Sequence, residues 1–113
     1  MDPERFVPLT AVVFEILLAL ADGERHGYDV MQDVERRTGG QVVLHAGTLY
    51  RALSRLLDQG LIEELDERPD PGGDERRRYY RLTPLGRAVA RAEAARLASQ
   101  VAAARRLLRG GRS

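Results

Sequence analysis

A chain of 113 residues has room for one hydrophobic core and not for a second, which excludes a multidomain enzyme. It contains no cysteine, which excludes a disulfide framework, a thiolate metal site and a cysteine nucleophile, and a reducing compartment is expected. Its 18 basic residues, all arginine, nearly balance 17 acidic ones for a formal net charge of +1, so a polyanion-binding role must rest on where the arginines gather and not on their sum.

The opening Met1-Asp2-Pro3-Glu4-Arg5 has no cleavable apolar core, and the longest apolar run, Ala11 to Ala21, is interrupted by Glu15 and too short to span a bilayer. A soluble, cytoplasmic protein without a membrane partner is expected. Thr10 is placed to N-cap a first helix running to Ala21, where Asp22-Gly23 stops it. Only Glu15 is polar within it. One small core can cover one side of such a helix, so the other side is expected to meet another element or another chain, with Val13 and Leu17 as dimer contacts. A second helix is expected from Tyr28 to Thr38, with Tyr28, Met31 and Val34 inward, Asp29, Gln32, Asp33, Arg36 and Arg37 outward, and Gly39-Gly40 at its end. His26 has only His45 for company and no metal-ligand spacing, so it reads as a turn or capping residue. Gln41 to Leu44 reads as a short extended segment.

The stretch from His45 to Gly60 forms the third helix, and it divides into two faces. Leu49, Leu53, Leu56 and Leu57 fall on one side at about 100° per residue, and Thr48, Arg51, Ser54, Arg55 and Asp58 fall opposite. The polar face is rich in donors that reach phosphates and the acceptor edges of bases. Tyr50 stands on the border, its ring able to pack while its hydroxyl reaches out. Gly60 fits the left-handed position that ends a helix, with Leu61 folding back as its apolar partner. Ile62 to Arg68 and Arg76 to Thr83 then read as two strands of a hairpin, because the prolines and glycines between them suit neither helix nor central strand. Tyr80 and Leu82 share the core face, with Tyr79 and Arg81 pointing away. Arg76, Arg77 and Arg78 cluster beside the tip, partly offset by Asp74 and Glu75. Thr83-Pro84 opens a last helix, threonine as N-cap and proline at the first helical position, that runs to about Arg109. About 25 residues of helix, roughly 37 Å, exceed what closing one small domain requires. Leu97, Val101, Ala104 and Leu108 continue the three-and-four spacing of a helix seam.

Helix, helix, helix and hairpin in that order make a winged helix-turn-helix, the third helix suited to the major groove and the hairpin to the backbone or minor groove. The fold class expected is therefore mainly α with a small β-hairpin: a DNA-binding winged helix over residues 1–83 and a C-terminal dimerisation helix over 84–113 with a disordered end. Pro8-Leu9-Thr10, His26-Gly27-Tyr28, Gly47-Thr48-Leu49-Tyr50-Arg51-Ala52-Leu53, Gly60-Leu61-Ile62 and Arg77-Arg78-Tyr79-Tyr80-Arg81-Leu82-Thr83-Pro84-Leu85-Gly86 together resemble the PadR family of bacterial transcriptional regulators. The resemblance covers about Leu9 to Leu97, with the pieces in order and at the expected separations.

That resemblance implies a sequence-specific regulator, a repressor bound as a homodimer to a palindromic operator in double-stranded DNA. It assigns DNA contact to Thr48, Tyr50, Arg51, Ser54 and Arg55 and to the wing arginines Arg76, Arg77 and Arg78. In family members with a small-molecule effector, the ligand commonly releases DNA. This chain has no tryptophan, which some small members use to sandwich planar ligands, and no larger C-terminal domain, so the resemblance allows an effector without requiring one. No cofactor, metal or catalytic residue is expected: no serine, histidine and carboxylate set, phosphate loop or metal spacing stands out. The rival reading is a winged helix used as a protein-interaction module, but a partner-binding helix would carry apolar or acidic residues where Arg51 and Arg55 stand. A MarR-like regulator would bring further helices before and after this core.

Overall fold

The computed structural model describes residues 2–69 and 76–110. A 3-10 turn at Pro3–Phe6 is followed by α1 (Ala11–Ala21), β1 (Arg25–His26), α2 (Gly27–Arg37), α3 (Ala46–Asp58), β2 (Ile62–Pro69), β3 (Arg76–Leu82) and α4 (Pro84–Leu107). α1 and α4 start where Thr10 and Thr83 predict, α2 starts one residue earlier than expected, at Gly27, and α3 starts without a side-chain cap. Thr10 accepts the Val13 N–H, His26 Nδ1 the Asp29 N–H, and Thr83 the Gly86 N–H, each supplying a partner for an amide the helix itself leaves open. Gly60 ends α3 at φ +76°, and the Leu61 and Gly60 amides return to the carbonyls of Leu56 and Leu57 at 3.0 and 3.1 Å, the paired bonds of a Schellman stop.

The sheet has three antiparallel strands in the order β1-β3-β2, not the two of a hairpin alone. Arg25 pairs with Tyr80 and His26 with Tyr79, whose rings meet edge to face at 5.4 Å. The two residues of β1 are too few to show an alternation, so this strand carries no periodic signal. Between β2 and β3 the register runs from Ile62 opposite Leu82 to Pro69 opposite Arg76, with a bulge between Leu65 and Arg68. Tyr80 is buried and Arg81 exposed, as alternation requires. The expected hairpin tip with Asp74 and Glu75, and the expected disordered end over 111–113, lie outside the described residues.

The core is built from Ile16, Leu17 and Leu20 of α1, Val30 and Val34 of α2, Leu49, Leu53 and Leu56 of α3, Leu61, Ile62 and Tyr80 of the wing base, and Val89 of α4. This arrangement corrects the expectation that Leu17 faces a partner. α1 is flanked by α2, α4 and β3, and Leu17 is 0% exposed. The surplus apolar surface of α1 is thus largely absorbed by its own chain, with Phe14 and Leu18 half-buried at its edge.

The α2 stripe is also corrected. Gly27, Val30, Asp33 and Val34 face inward while Tyr28 is 51% exposed. Asp33 can be buried because arginines close over it. Arg37 Nε donates to it at 2.8 Å, Arg36 at 2.9 Å, and Arg25 of β1 stands at 3.4 Å. Arg37 also donates to Glu15 of α1 at 2.7 Å, so one charge network ties α1, β1 and α2. Burial pushes the Asp33 carboxyl up, but the Arg37 hydrogen bond and the three cations together hold it below the ordinary carboxylate range.

Candidate nucleic-acid interface

The buried Leu49, Leu53 and Leu56 pin one face of α3 into the core, which leaves Thr48, Tyr50, Arg51, Ser54, Arg55 and Asp58 outside. Arg51 and Arg55 are four residues apart and so lie on one side of the helix, about 6 Å apart along its axis. Among the described residues neither has an ion pair or side-chain hydrogen bond. Arg25, Arg36, Arg37, Arg78, Arg81 and Arg96, by contrast, are all matched to carboxylates. Two cations left unmatched on a rigidly held helix have their full donor capacity available to an outside anion.

Tyr50 is half-exposed, but its hydroxyl does not reach outward as the helical phase suggests. It lies over Gly27, so close that a Cβ added there would stand 2.5 Å from the hydroxyl oxygen. The ring thereby seats α3 on the first turn of α2, setting the angle between the two helices of the helix-turn-helix. The far end of α3 is seated too. Thr83 donates its hydroxyl to the Gly60 carbonyl at 2.7 Å and its N–H to the Leu61 carbonyl at 3.1 Å. Gly86 lets α4 approach until its Cα hydrogen faces that same Leu61 carbonyl.

In the wing, Arg78 is exposed but stands 3.3 Å from Glu64 of the paired strand, and Arg81 pairs with Glu63. Among the described residues, an acid of β2 thus stands beside Arg78. The backbones of Arg76 and Arg77 lie in β3 opposite Pro69 and Arg68; their side chains lie outside the described residues. Among the described residues no group of three His, Asp or Glu side chains could hold a metal ion, and no helix is long and apolar enough to cross a membrane.

The helical wheel misses Glu93. It is 2% exposed in α4, takes two hydrogen bonds from Arg96 at 2.7 and 2.8 Å, and lies toward the Leu9 backbone amide, which also favours its charged form. Those Arg96 bonds hold its carboxyl below the ordinary range against the opposing effect of burial. The signal was present in the spacing, since Glu93 falls three and four residues after the buried Ala90 and Val89.

Of the expected dimer residues, Val13 is half-buried beside α3, in a groove it shares with Thr48, Arg51 and Arg55. Leu97 is half-buried, and Val101, Ala104 and Leu108 are exposed on the part of α4 that runs past the core.

A polar recognition-type helix seated on α2 and backed by a three-stranded wing defines a winged helix-turn-helix protein. The chain belongs to the transcriptional regulator PadR-like family, which matches residues 16–92; this is a family of regulators and not of enzymes. It is similar to an uncharacterized protein X of Lysinibacillus sphaericus, 34% identical over 73 residues, which cover 65% of each chain. The chain thus spans 65% of that curated relative's length. Among solved structures it resembles a transcriptional regulator from Clostridium thermocellum at TM-score 0.64 and 32% identity, over 80% of this chain and 84% of that one. It also resembles Bacillus subtilis PadR, solved in complex with operator DNA, at TM-score 0.64 and 25% identity, over 74% of this chain and 46% of that one.

Proposed function

We propose that this chain is a DNA-binding transcriptional regulator that inserts α3 into the major groove and acts in the cytoplasm as a homodimeric repressor on a palindromic operator. The observation that carries the reading is the pair Arg51 and Arg55, unmatched and exposed on a helix whose opposite face is locked in the core. The operator complex of Bacillus subtilis PadR supports the choice of DNA as the anion. Thr48, Tyr50 and Ser54 would complete the contact set, with Arg76, Arg77 and Arg78 on the backbone beside it. Residues 1–83 would form the reading unit and 84–113 the dimer helix, where Leu97, Val101, Ala104 and Leu108 offer an apolar seam and Val13 adds little. A dimer holds two recognition helices one helical turn of DNA apart, about 34 Å, which is what a palindrome requires. A small-molecule effector that releases DNA completes the proposal.

Fluorescence anisotropy with labelled duplexes from the DNA flanking the protein's own gene, against a scrambled duplex of equal length, tests the reading. The expected result is preferential binding to a flanking fragment, weakened by Arg51→Ala and Arg55→Ala. Equal binding to both duplexes by all three proteins would refute it.

A further inference from the structure

Two arginines of the wing differ from those of α3 in already holding an acid. Arg78 Nε stands 3.3 Å from Glu64 of β2, and Arg81 is paired with Glu63, whereas Arg51 and Arg55 have no such partner among the described residues. The two pairs lie on opposite faces of the sheet. Glu63 sits opposite Arg81, and Glu64 sits opposite Tyr80 with Arg78 on the diagonal, so strand alternation puts Glu64, Arg78 and Tyr80 on one face and Glu63 and Arg81 on the other. The face with Glu64 is the one near α3. Burial pushes the Tyr80 phenol above its ordinary value, and Glu64 and Tyr50 of α3 push it the same way while Arg78 opposes them, so all three charges or phenols stand close to one side chain at the wing base. The pair is open to solvent, its Arg78 side chain 64% and its Glu64 side chain 37% exposed. Such a pair contributes little to stability. It does decide the charge the wing presents beside α3, because Arg78 is neutralised for as long as the pair holds.

We propose that Glu64 is a built-in competitor for Arg78: it holds the cation beside α3 in an ion pair that a DNA phosphate must displace, and so sets how strongly the wing grips the backbone. The inference rests on DNA as the partner, the reading proposed above. A phosphate approaching Arg78 meets a carboxylate 3.3 Å from the same guanidinium. It must either drive the two apart or bear the repulsion of the acid. Both reduce the attraction Arg78 would exert alone, and the reduction is the same for every base sequence, because phosphates carry no sequence information. Base reading is thereby left to Arg51 and Arg55, whose donors no acid occupies among the described residues. Replacing Glu64 by its neutral isostere should therefore strengthen DNA binding, the reverse of the usual effect of removing a charged side chain from a binding surface.

Fluorescence anisotropy of the full-length protein with a labelled random duplex, repeated over a range of salt concentrations, is the measurement. For Glu64→Gln the affinity is expected to rise about two- to fivefold at low salt, the effect of one charge roughly 4 Å away in water. The slope of log affinity against log salt should steepen by up to about 0.9, the share of one phosphate. Glu63→Gln is the control, since it removes the same charge one residue away on the other face, and its gain should be distinctly smaller. Arg78→Ala should weaken binding more in the Glu64→Gln protein than in the wild type, because only there is the arginine already released. An unchanged or lower affinity for Glu64→Gln, an equal gain from Glu63→Gln, or an Arg78→Ala loss that is the same in both backgrounds would each overturn the proposal. Any of these results in a protein that binds duplex sinks the competitor alone, whereas failure of every variant and the wild type to bind duplex sinks the DNA reading and this inference with it.

Discussion

Gly86→Ala is the substitution for which local propensity and tertiary geometry predict opposite signs. Alanine is the better helix former by about 0.8 to 1 kcal/mol in a helix interior, so α4 considered alone should be stabilised. In the folded chain, however, the new Cβ would stand 1.8 Å from the Leu61 carbonyl oxygen and 2.8 Å from its carbon. Both atoms are backbone, and the same carbonyl is already bonded to the Thr83 N–H. Restoring an ordinary contact near 3.5 Å needs a retreat of more than about 1.5 Å. A shift of that size breaks the Thr83 bonds to Leu61 and Gly60, each worth about 1 kcal/mol, and adds an overpacking cost of about 1 to 3 kcal/mol. Subtracting the propensity gain leaves a net loss of about 2 to 4 kcal/mol, a large part of a stability that for such domains is about 5 to 15 kcal/mol. Urea denaturation followed by circular dichroism at fixed protein concentration measures it. Gly47→Ala is the control, because its Cβ would meet only the movable end of Arg51 at 3.4 Å, and it should be neutral or slightly stabilising. A Gly86→Ala protein as stable as the wild type would refute the close approach of α4 to α3.

Arg51→Ala or Arg55→Ala should weaken operator binding by roughly 1 to 3 kcal/mol where the arginine reads a guanine, with the denaturation midpoint unchanged. Comparison with random duplex tells base contact from phosphate contact, since the latter weakens both alike. Replacing Arg76, Arg77 and Arg78 by alanine should flatten the slope of log affinity against log salt by about 0.9 for each phosphate lost; an unchanged slope would remove the wing from the backbone. Asp33 and Glu93 have folded pKa values below the ordinary carboxylate range, so their stabilisation is complete above about pH 5, where the unfolded carboxylates are ionised, and is lost as pH falls from there through the folded values. Asp33→Asn should therefore lower neutral-pH stability by on the order of 1 to 3 kcal/mol and flatten the acid limb of a stability–pH curve, and a limb of unchanged steepness would contradict it. Val101→Asp should oppose self-association by placing a charge on the exposed apolar seam of α4, which sedimentation velocity at micromolar concentration reads directly; an unchanged sedimentation coefficient would remove Val101 from the interface.

What the sequence makes legible are the features in which a local rule and the tertiary environment agree. The leucines of α3 repeat without interruption, so the face opposite them is defined before any neighbour is known, and the structure leaves Thr48, Arg51, Ser54 and Arg55 on it. Thr10 and Thr83 act through amides within their own first turn, and Tyr80 follows strand alternation. Legibility ends where burial depends on a partner distant in the chain. Asp33 is the wrong residue to bury until Arg25 from β1 and Arg37, held by Glu15 of α1, surround it. On α2 the stripes through Tyr28 and through Gly27 differ by one residue and share Val34, and the true one is weakened as a hydrophobic signal by a glycine and an aspartate. Leu17 illustrates the same limit in reverse. An all-round apolar helix announces that it is covered but not by what, and here α2, α4 and β3 supply the cover that a second chain was expected to give. The groove beside α3 is further from reach still, because the segment that carries Leu9 into its wall is placed by the last helix, from the other end of the chain. α4 packs against the opening 3-10 turn and against α1. The helix proposed to hold the dimer therefore supports the wall that faces Arg51 and Arg55, the residues proposed to read DNA.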